Sequence, residues 1–258
     1  MTHVSCKLIW VGANRRASLT DVVLEVQSVQ AGYGDLTILH GVDLQVAACS
    51  WTTIIGANGA GKSTLLKVVA GLLACRTGHL RFEGQDITRL DALARLRGGI
   101  GLVPQGRCNF PALSVSENLQ LGAYSRRLPR QTLMEEANAM ADRFPRLRAR
   151  WNTLAGNLSG GEQQILEMAM VLMARPRLLL LDEPSLGLSP QAMDMVFDTI
   201  RELTASGMTV LMVEQNAQQA LERCDAGVVM EMGRVSLHAP AREVLNHPEI
   251  RAMFLGLT

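Results

Sequence analysis

The run Gly56-Ala57-Asn58-Gly59-Ala60-Gly61-Lys62-Ser63-Thr64 places a glycine at each end of a short loop, then a lysine and a hydroxyl residue, in the pattern GxxxxGK[ST]. Glycines in such a loop let successive backbone N–H groups face phosphate oxygens, and a helix starting at the lysine adds the positive end of its dipole. In that chemistry Lys62 bridges the β- and γ-phosphates and the Ser63 hydroxyl ligates Mg²⁺, which holds both phosphates in line for attack. A second cluster would complete the set, because Asp182 and Glu183 close the apolar run Leu178-Leu179-Leu180-Leu181. Successive side chains on a strand point to opposite sides, so Asp182 is expected to partner Mg²⁺ and Glu183 to polarise the attacking water as general base. An Asp-Glu pair standing alone at a strand end reads as a solvated helix cap. The phosphate loop upstream supplies its chemical meaning.

Periodicity outlines the elements that must position these residues. Val22, Leu24 and Val26 alternate with Glu25 and Gln27, and Val42, Leu44 and Val46 alternate with Asp43 and Gln45, which predicts two half-buried antiparallel strands over 22–29 and 42–46. Residues 51–55 read as a strand, 56–61 as a loop and 62–70 as a helix stopped by Gly71. Leu80 and Phe82 mark another strand, and Ser114-Val115-Ser116-Glu117 is a capping box opening a stretch, about 106–158, expected to be largely helical. Residues 162–174 place Ile165, Leu166, Ala169, Leu172 and Met173 on one helix face, with continuous apolar strands at 178–181 and 209–213. Gly233 marks a turn and 239–245 a short helix. The expected class is α/β.

Bulk properties narrow the function. With 258 residues, 48% of them hydrophobic, the chain can fill one substantial core. A formal net charge of +1 lacks the broad basic field of a nucleic-acid binder, so no nucleic-acid partner is expected. Cys6, Cys49, Cys75, Cys108 and Cys224 are odd in number and form no CxxC pair, which suggests neither a disulfide framework nor a zinc site and fits a reducing cytoplasm. No apolar run reaches the roughly 18 residues of a membrane span. Leu8-Ile9-Trp10-Val11 after Lys7 is too short for a signal-peptide core, and residues 1–20 are expected to be a poorly ordered extension. Met168, Met170 and Met173 are expected core fillers, and His3, His40, His79, His238 and His247 show no ligand spacing.

Leu158-Ser159-Gly160-Gly161-Glu162-Gln163 resembles the LSGGQ signature of the ABC superfamily, and the phosphate loop and the Asp-Glu pair stand around it in that family's order. The resemblance covers residues 21–258 and implies a P-loop NTPase core (RecA-like) with an antiparallel β-subdomain and an α-helical subdomain, binding ATP and Mg²⁺. It implies that Tyr33 stacks on adenine, although Tyr33 also reads as an ordinary core tyrosine. Gln105, in Val103-Pro104-Gln105, looks like the glutamine that touches Mg²⁺ and links the ATP core to the helical subdomain. Residues 185–189 resemble the D-loop. Ser159, Gly160, Gly161 and Glu162 would contact the ATP held by the phosphate loop of a second, head-to-tail subunit. The implied partners are that second ATP-binding subunit, a transmembrane permease docked near Gln105 and 110–119, and indirectly a substrate-binding protein. The implied place is the cytoplasmic face of the membrane. A solvated helical face is the plainer reading of 110–119.

Gln215, in Val213-Glu214-Gln215-Asn216, stands where the superfamily usually has its switch histidine. Glutamine cannot carry a proton as His⁺ does, but its amide can hydrogen-bond a γ-phosphate, so altered hydrolysis is expected; a purely structural role stays open. Val-Glu-Gln-Asn and Pro184-Ser185-Leu186-Gly187-Leu188 resemble the second ATPase of branched-chain amino-acid importers. The ATPases of urea or amide importers are similar, and Gln215 keeps open a nucleotide-binding regulator without useful turnover. The segment Ala47-Ala48-Cys49-Ser50-Trp51 lacks the glycine turn usual in the family before the phosphate-loop strand.

Overall fold

The alternating segments run further than their clearest periodicity. In the computed structural model, which describes residues 22–254, β1 (Val22–Tyr33) pairs antiparallel with β2 (Leu36–Ala47), and the extension expected at 1–20 lies outside the described residues. The alternation breaks after Gln27 because Ser28 takes a left-handed backbone (φ 49°) and donates its N–H to Asp43 Oδ1 at 2.8 Å. The register shifts there and the side-chain phase inverts, as at a bulge. With β4 (Thr77–Phe82) and β5 (Gln85–Asp86) these strands form one antiparallel sheet in the order β2-β1-β4-β5.

The continuous apolar strands build the second sheet. It comprises β3 (Trp51–Ile55), β6 (Ile100–Val103), β7 (Leu178–Asp182), β8 (Thr209–Val213), β9 (Ala226–Glu231) and β10 (Arg234–Pro240), ordered β10-β9-β3-β8-β7-β6. All neighbours are parallel except β10, which runs antiparallel to β9 at the edge. Every residue of β3, β7 and β8 is buried, as a parallel sheet covered on both faces requires. One face packs Ile54, Leu178, Leu180, Leu211 and Val213 against the first sheet and α1 (Lys62–Val69). The other packs Trp51, Leu179, Leu181, Val210 and Met212 against helices.

Those helices continue the chain order: α2 (Ala92–Arg97), α3 (Val115–Gly122), α4 (Arg130–Arg143), α5 (Pro145–Ala149), α6 (Gly160–Leu172) and α7 (Pro190–Ala205). Residues 106–114, expected to be helical, are not; helix starts only where the Ser114–Glu117 capping box forms. The helix expected at 162–174 starts at Gly160, because Ser159 and Glu162 form a second capping box behind the glycine pair. After α8 (Ala217–Leu221), β10 runs to Pro240 before α9 (Ala241–Asn246) and α10 (Pro248–Phe254), so the short terminal helix begins two residues later than periodicity predicts. Met168, Met170 and Met173 are buried as expected. Among the described residues no helix is long and apolar enough to cross a membrane.

Cys49 takes the left-handed conformation (φ 53°) that a glycine adopts at least cost, which explains how the turn before β3 closes without one. The cysteines described are free. Burial pushes the Cys108 thiol up to about 12, helped by the nearby Glu167 carboxylate, and pushes Cys224 up to about 11. Since the thiolate is the nucleophile, iodoacetamide at pH 8 is expected to alkylate exposed Cys49 at least about tenfold faster than Cys108 or Cys224 in the folded protein. Equal rates by peptide mass mapping would show that the two half-buried thiols are not shielded.

Candidate active site

Strand β3 delivers the chain into the phosphate loop at Gly56, whose backbone (φ 155°) and surroundings exclude a side chain: a Cβ there would lie 2.2 Å from Met230 O. Ala57, Asn58 and Gly59 are exposed at the loop's crest, while Ala60, Gly61, Lys62 and Thr64 are buried and Ser63 is half-buried. Gly61, in the left-handed region, precedes the first turn of α1, so the loop wraps around that helix's N-terminus. The Lys62 ammonium folds back over the loop and donates to Gly56 O at 2.9 Å and Ala57 O at 3.2 Å. That places a buried positive charge inside the cradle of N–H groups.

Asp182, 5% exposed at the end of β7, accepts the Ser63 hydroxyl at 2.8 Å. Burial pushes its carboxyl above the usual range, against the pull of the Ser63 hydrogen bond and of the Lys67 and Lys62 charges. A buried carboxylate beside a serine hydroxyl is a pair of hard oxygen donors, and it fits Mg²⁺, which takes few protein ligands and completes its shell with phosphate oxygens and water. A bound divalent cation would oppose that shift and favour the ionised form.

The next residue points elsewhere. Glu183, half-buried with φ 50°, accepts the Gln105 side-chain N–H at 2.9 Å. The two strand ends therefore bring Gln105 to the expected general base rather than to the Ser63–Asp182 pair. Beyond it, Glu183, Ser185, Leu186, Gly187, Leu188, Met193, Glu214, Gln215 and Asn216 line a cleft of about 270 Å³ that gathers the D-loop residues and Gln215 beside Glu183.

The signature residues are partly committed to each other. The Ser159 hydroxyl accepts the Glu162 N–H at 3.3 Å, and the Glu162 carboxylate accepts the Ser159 N–H at 2.8 Å. Of the first N–H groups of α6, this capping box leaves those of Gly160 and Gly161 without a partner in the helix. Burial disfavours the Glu162 charge, but the Ser159 hydrogen bonds and the Arg150 and Arg146 charges outweigh it and hold the carboxyl below its usual range. Ser159 is exposed and able to meet a partner surface, whereas Gly161 lies buried against Ala192.

Comparison with known proteins agrees with this geometry. The profile described as ABC transporter matches residues 39–186, more than half of the chain. The chain belongs to the ABC transporter family. It is 40% identical over 234 residues to the high-affinity branched-chain amino acid transport ATP-binding protein BraG of Pseudomonas aeruginosa, covering 91% of this chain and 100% of that protein. It is 39% identical over 236 residues to the probable branched-chain amino acid transport ATP-binding protein LivF of Archaeoglobus fulgidus, covering 91% and 99%. The crystal structure of an ABC transporter ATP-binding cassette in its ADP conformation superposes with a TM-score of 0.83 at 28% identity, covering 92% of this chain and 100% of that one. This ABC protein is therefore an ATPase subunit with the P-loop α/β core and antiparallel sheet that its sequence led one to expect.

Within this ABC ATPase, Tyr33 ends β1 at 47% exposure, so it is not a core tyrosine. Leu113, Glu117, Leu121, Tyr124, Arg127 and Leu133 line a hollow of about 580 Å³ that overlaps the segment 110–119, with Tyr124 84% exposed. Two buried carboxylates escaped the sequence reading. Glu167 on α6, 1% exposed, accepts the N–H groups of Cys108 and Asn109 and the Asn109 amide, which ties the chain beyond Gln105 to the signature helix. Arg107 reaches Gln163 one turn earlier on that helix. A charged residue interrupting the apolar face of 162–174 was the available signal. The second is Glu214.

Proposed function

We propose that this chain is one ATP-hydrolysing subunit of an importer for branched-chain amino acids, working on the cytoplasmic face of the membrane. The observation that carries the proposal is its 39–40% identity, across essentially the whole of each relative, to two proteins named for branched-chain amino acid transport. The domain spans 21–258, with its helical part between the Gln105 loop and the signature. ATP lies between the phosphate loop of one subunit and Ser159, Gly160 and Gly161 of another, its adenine against exposed Tyr33.

The residues divide the work by position. Lys62 and the N–H groups of 57–63 hold the phosphates, Ser63 and Asp182 would hold Mg²⁺, and Glu183 orients and deprotonates the attacking water. When bound, Mg²⁺ supplies charge neutralisation to the β- and γ-oxygens. Gln105, hydrogen-bonded to Glu183, reports the state of that site to the helical part, where the groove at Leu121 and Tyr124 receives the permease. Gln215 donates its amide to the γ-phosphate in place of a histidine.

The test is ATP turnover and uptake by the chain co-assembled with the permease and ATPase subunits encoded beside it, in vesicles holding the matching binding protein. ATP-dependent leucine uptake with stimulated turnover is the expected result. Uptake of urea or an amide instead would reassign the substrate, and ATP binding without hydrolysis in any assembly would leave a nucleotide-binding regulator.

A further inference from the structure

The strand that ends at Val213 is followed by a carboxylate for which the hydrolysis scheme has no use. Glu214 is 2% exposed, where Glu183 is half-buried, and no arginine or lysine among the described residues forms an ion pair with it. Both of its oxygens are spent on backbone. Oε1 accepts the Ser185 N–H at 3.0 Å, and Oε2 accepts the Gln215 N–H at 3.1 Å. Its own N–H donates to Ile54 O at 3.1 Å, which fastens it to β3, the strand that feeds the phosphate loop.

What it holds is the turn carrying the general base. Glu183 sits at φ 50°, in a region that L-residues other than Asn and Asp seldom occupy. The N–H of Glu183 is held by Val213 O at 2.9 Å, and the next links, Leu186 N–H to Glu183 O and Leu188 N–H to Ser185 O, are internal to the turn. Glu214 supplies an anchor from outside it, at buried Ser185, two residues past the base. A strained backbone conformation persists when its surroundings over-determine it, and such conformations cluster at sites where geometry is used. A carboxylate buried without a cation is costly and is tolerated where hydrogen bonds satisfy it.

We propose that Glu214 is a positioning residue for ATP hydrolysis, clamping the Glu183–Leu188 turn and the Gln215 backbone to one carboxylate so that base and switch glutamine keep a fixed relation. The proposal rests on the reading of Glu183 as base and Gln215 as γ-phosphate donor. The clamp needs two acceptors, one for each N–H. Glu214→Gln keeps the shape but turns one acceptor into an NH₂ that faces a donor, whereas Glu214→Asp keeps both acceptors at shorter reach.

The experiment measures kcat, KM and nucleotide affinity for E214Q, E214D, Q215A and the double variant E214Q/Q215A, in the full-length chain assembled with its permease, with thermal melts of each. E214Q is expected to bind a fluorescent ATP analogue within about twofold of wild type while kcat falls roughly ten- to hundredfold, a loss confined to the transition state. E214D should recover part of that loss, and the double variant should be no slower than its slower parent, because both changes disable one unit. Wild-type kcat in folded E214Q, E214D slower than E214Q, or fully multiplicative losses in the double variant would each overturn the proposal. Glu183→Gln run in parallel separates the two ideas. If it is inactive while E214Q is normal, only the clamp fails; if it turns over normally, the base assignment itself fails.

Discussion

Glu183→Gln is expected to lower ATP turnover on the order of a hundred- to ten-thousandfold while leaving ATP binding intact, the range that general-base removal typically produces. The substitution keeps the side chain's volume and its ability to accept the Gln105 hydrogen bond, now seen at 2.9 Å, so the local fold has no reason to change. What disappears is the capacity to take a proton. At 1.36 kcal/mol per decade the loss corresponds to about 3–5 kcal/mol of barrier. Because γ-phosphate contacts would stabilise the closed pair of subunits and hydrolysis would end them, the variant should also accumulate as an ATP-bound dimer. Single-turnover hydrolysis and size-exclusion chromatography with and without Mg-ATP measure both effects. Normal single-turnover rates would remove Glu183 as base and direct attention to water positioning by Gln215.

The parts of this site that could be read before the fold was known are those whose chemistry is contiguous in sequence. The loop from Gly56 to Ser63 needs its glycines in order, and Asp182 and Glu183 stand side by side at the close of an apolar run, although it is the left-handed backbone of Glu183 past the end of β7, and not strand alternation, that turns it toward Gln105 while Asp182 meets Ser63. Periodicity likewise placed the fully buried strands at 178–181 and 209–213. It stopped short wherever the backbone left the regular phase. Ser28 inverted the alternation of β1, and the Gly160-Gly161 pair concealed a helix start although Ser159 and Glu162 carry the same capping pattern that was recognised at Ser114 and Glu117. Glu167 and Glu214 were illegible for a different reason. Each accepts backbone N–H groups from segments far away in sequence, Cys108 and Asn109 for Glu167 and Ser185 for Glu214, and only the interrupted apolar face around Glu167 hinted at either. The hollow beside 110–119 was illegible as a unit because its lining comes from the chain before α3, from α3, from the connection after it and from α4, which meet only in the folded protein.

Lys62→Ala is expected to weaken ATP binding by two to four orders of magnitude. Charge-assisted hydrogen bonds contribute about 1.5–3 kcal/mol each, and the ammonium is positioned to serve two phosphates, so roughly 3–6 kcal/mol is lost, which is about 10²–10⁴ in Kd. The structure adds a second reason for a large effect. Lys62 already bridges the carbonyls of Gly56 and Ala57, and without it Gly56 O loses that donor while Ala57 O keeps the Ala60 N–H at 3.1 Å. Binding stabilises a folded protein by RT ln(1 + [L]/Kd), so melting with and without millimolar ATP is a direct measure. The wild-type midpoint should rise with ATP, that of K62A should not move, and that of E183Q should rise at least as far as wild type because bound nucleotide is not consumed. A K62A midpoint that still tracks ATP would show the backbone nest to be sufficient for binding, and would confine the lysine to the transition state.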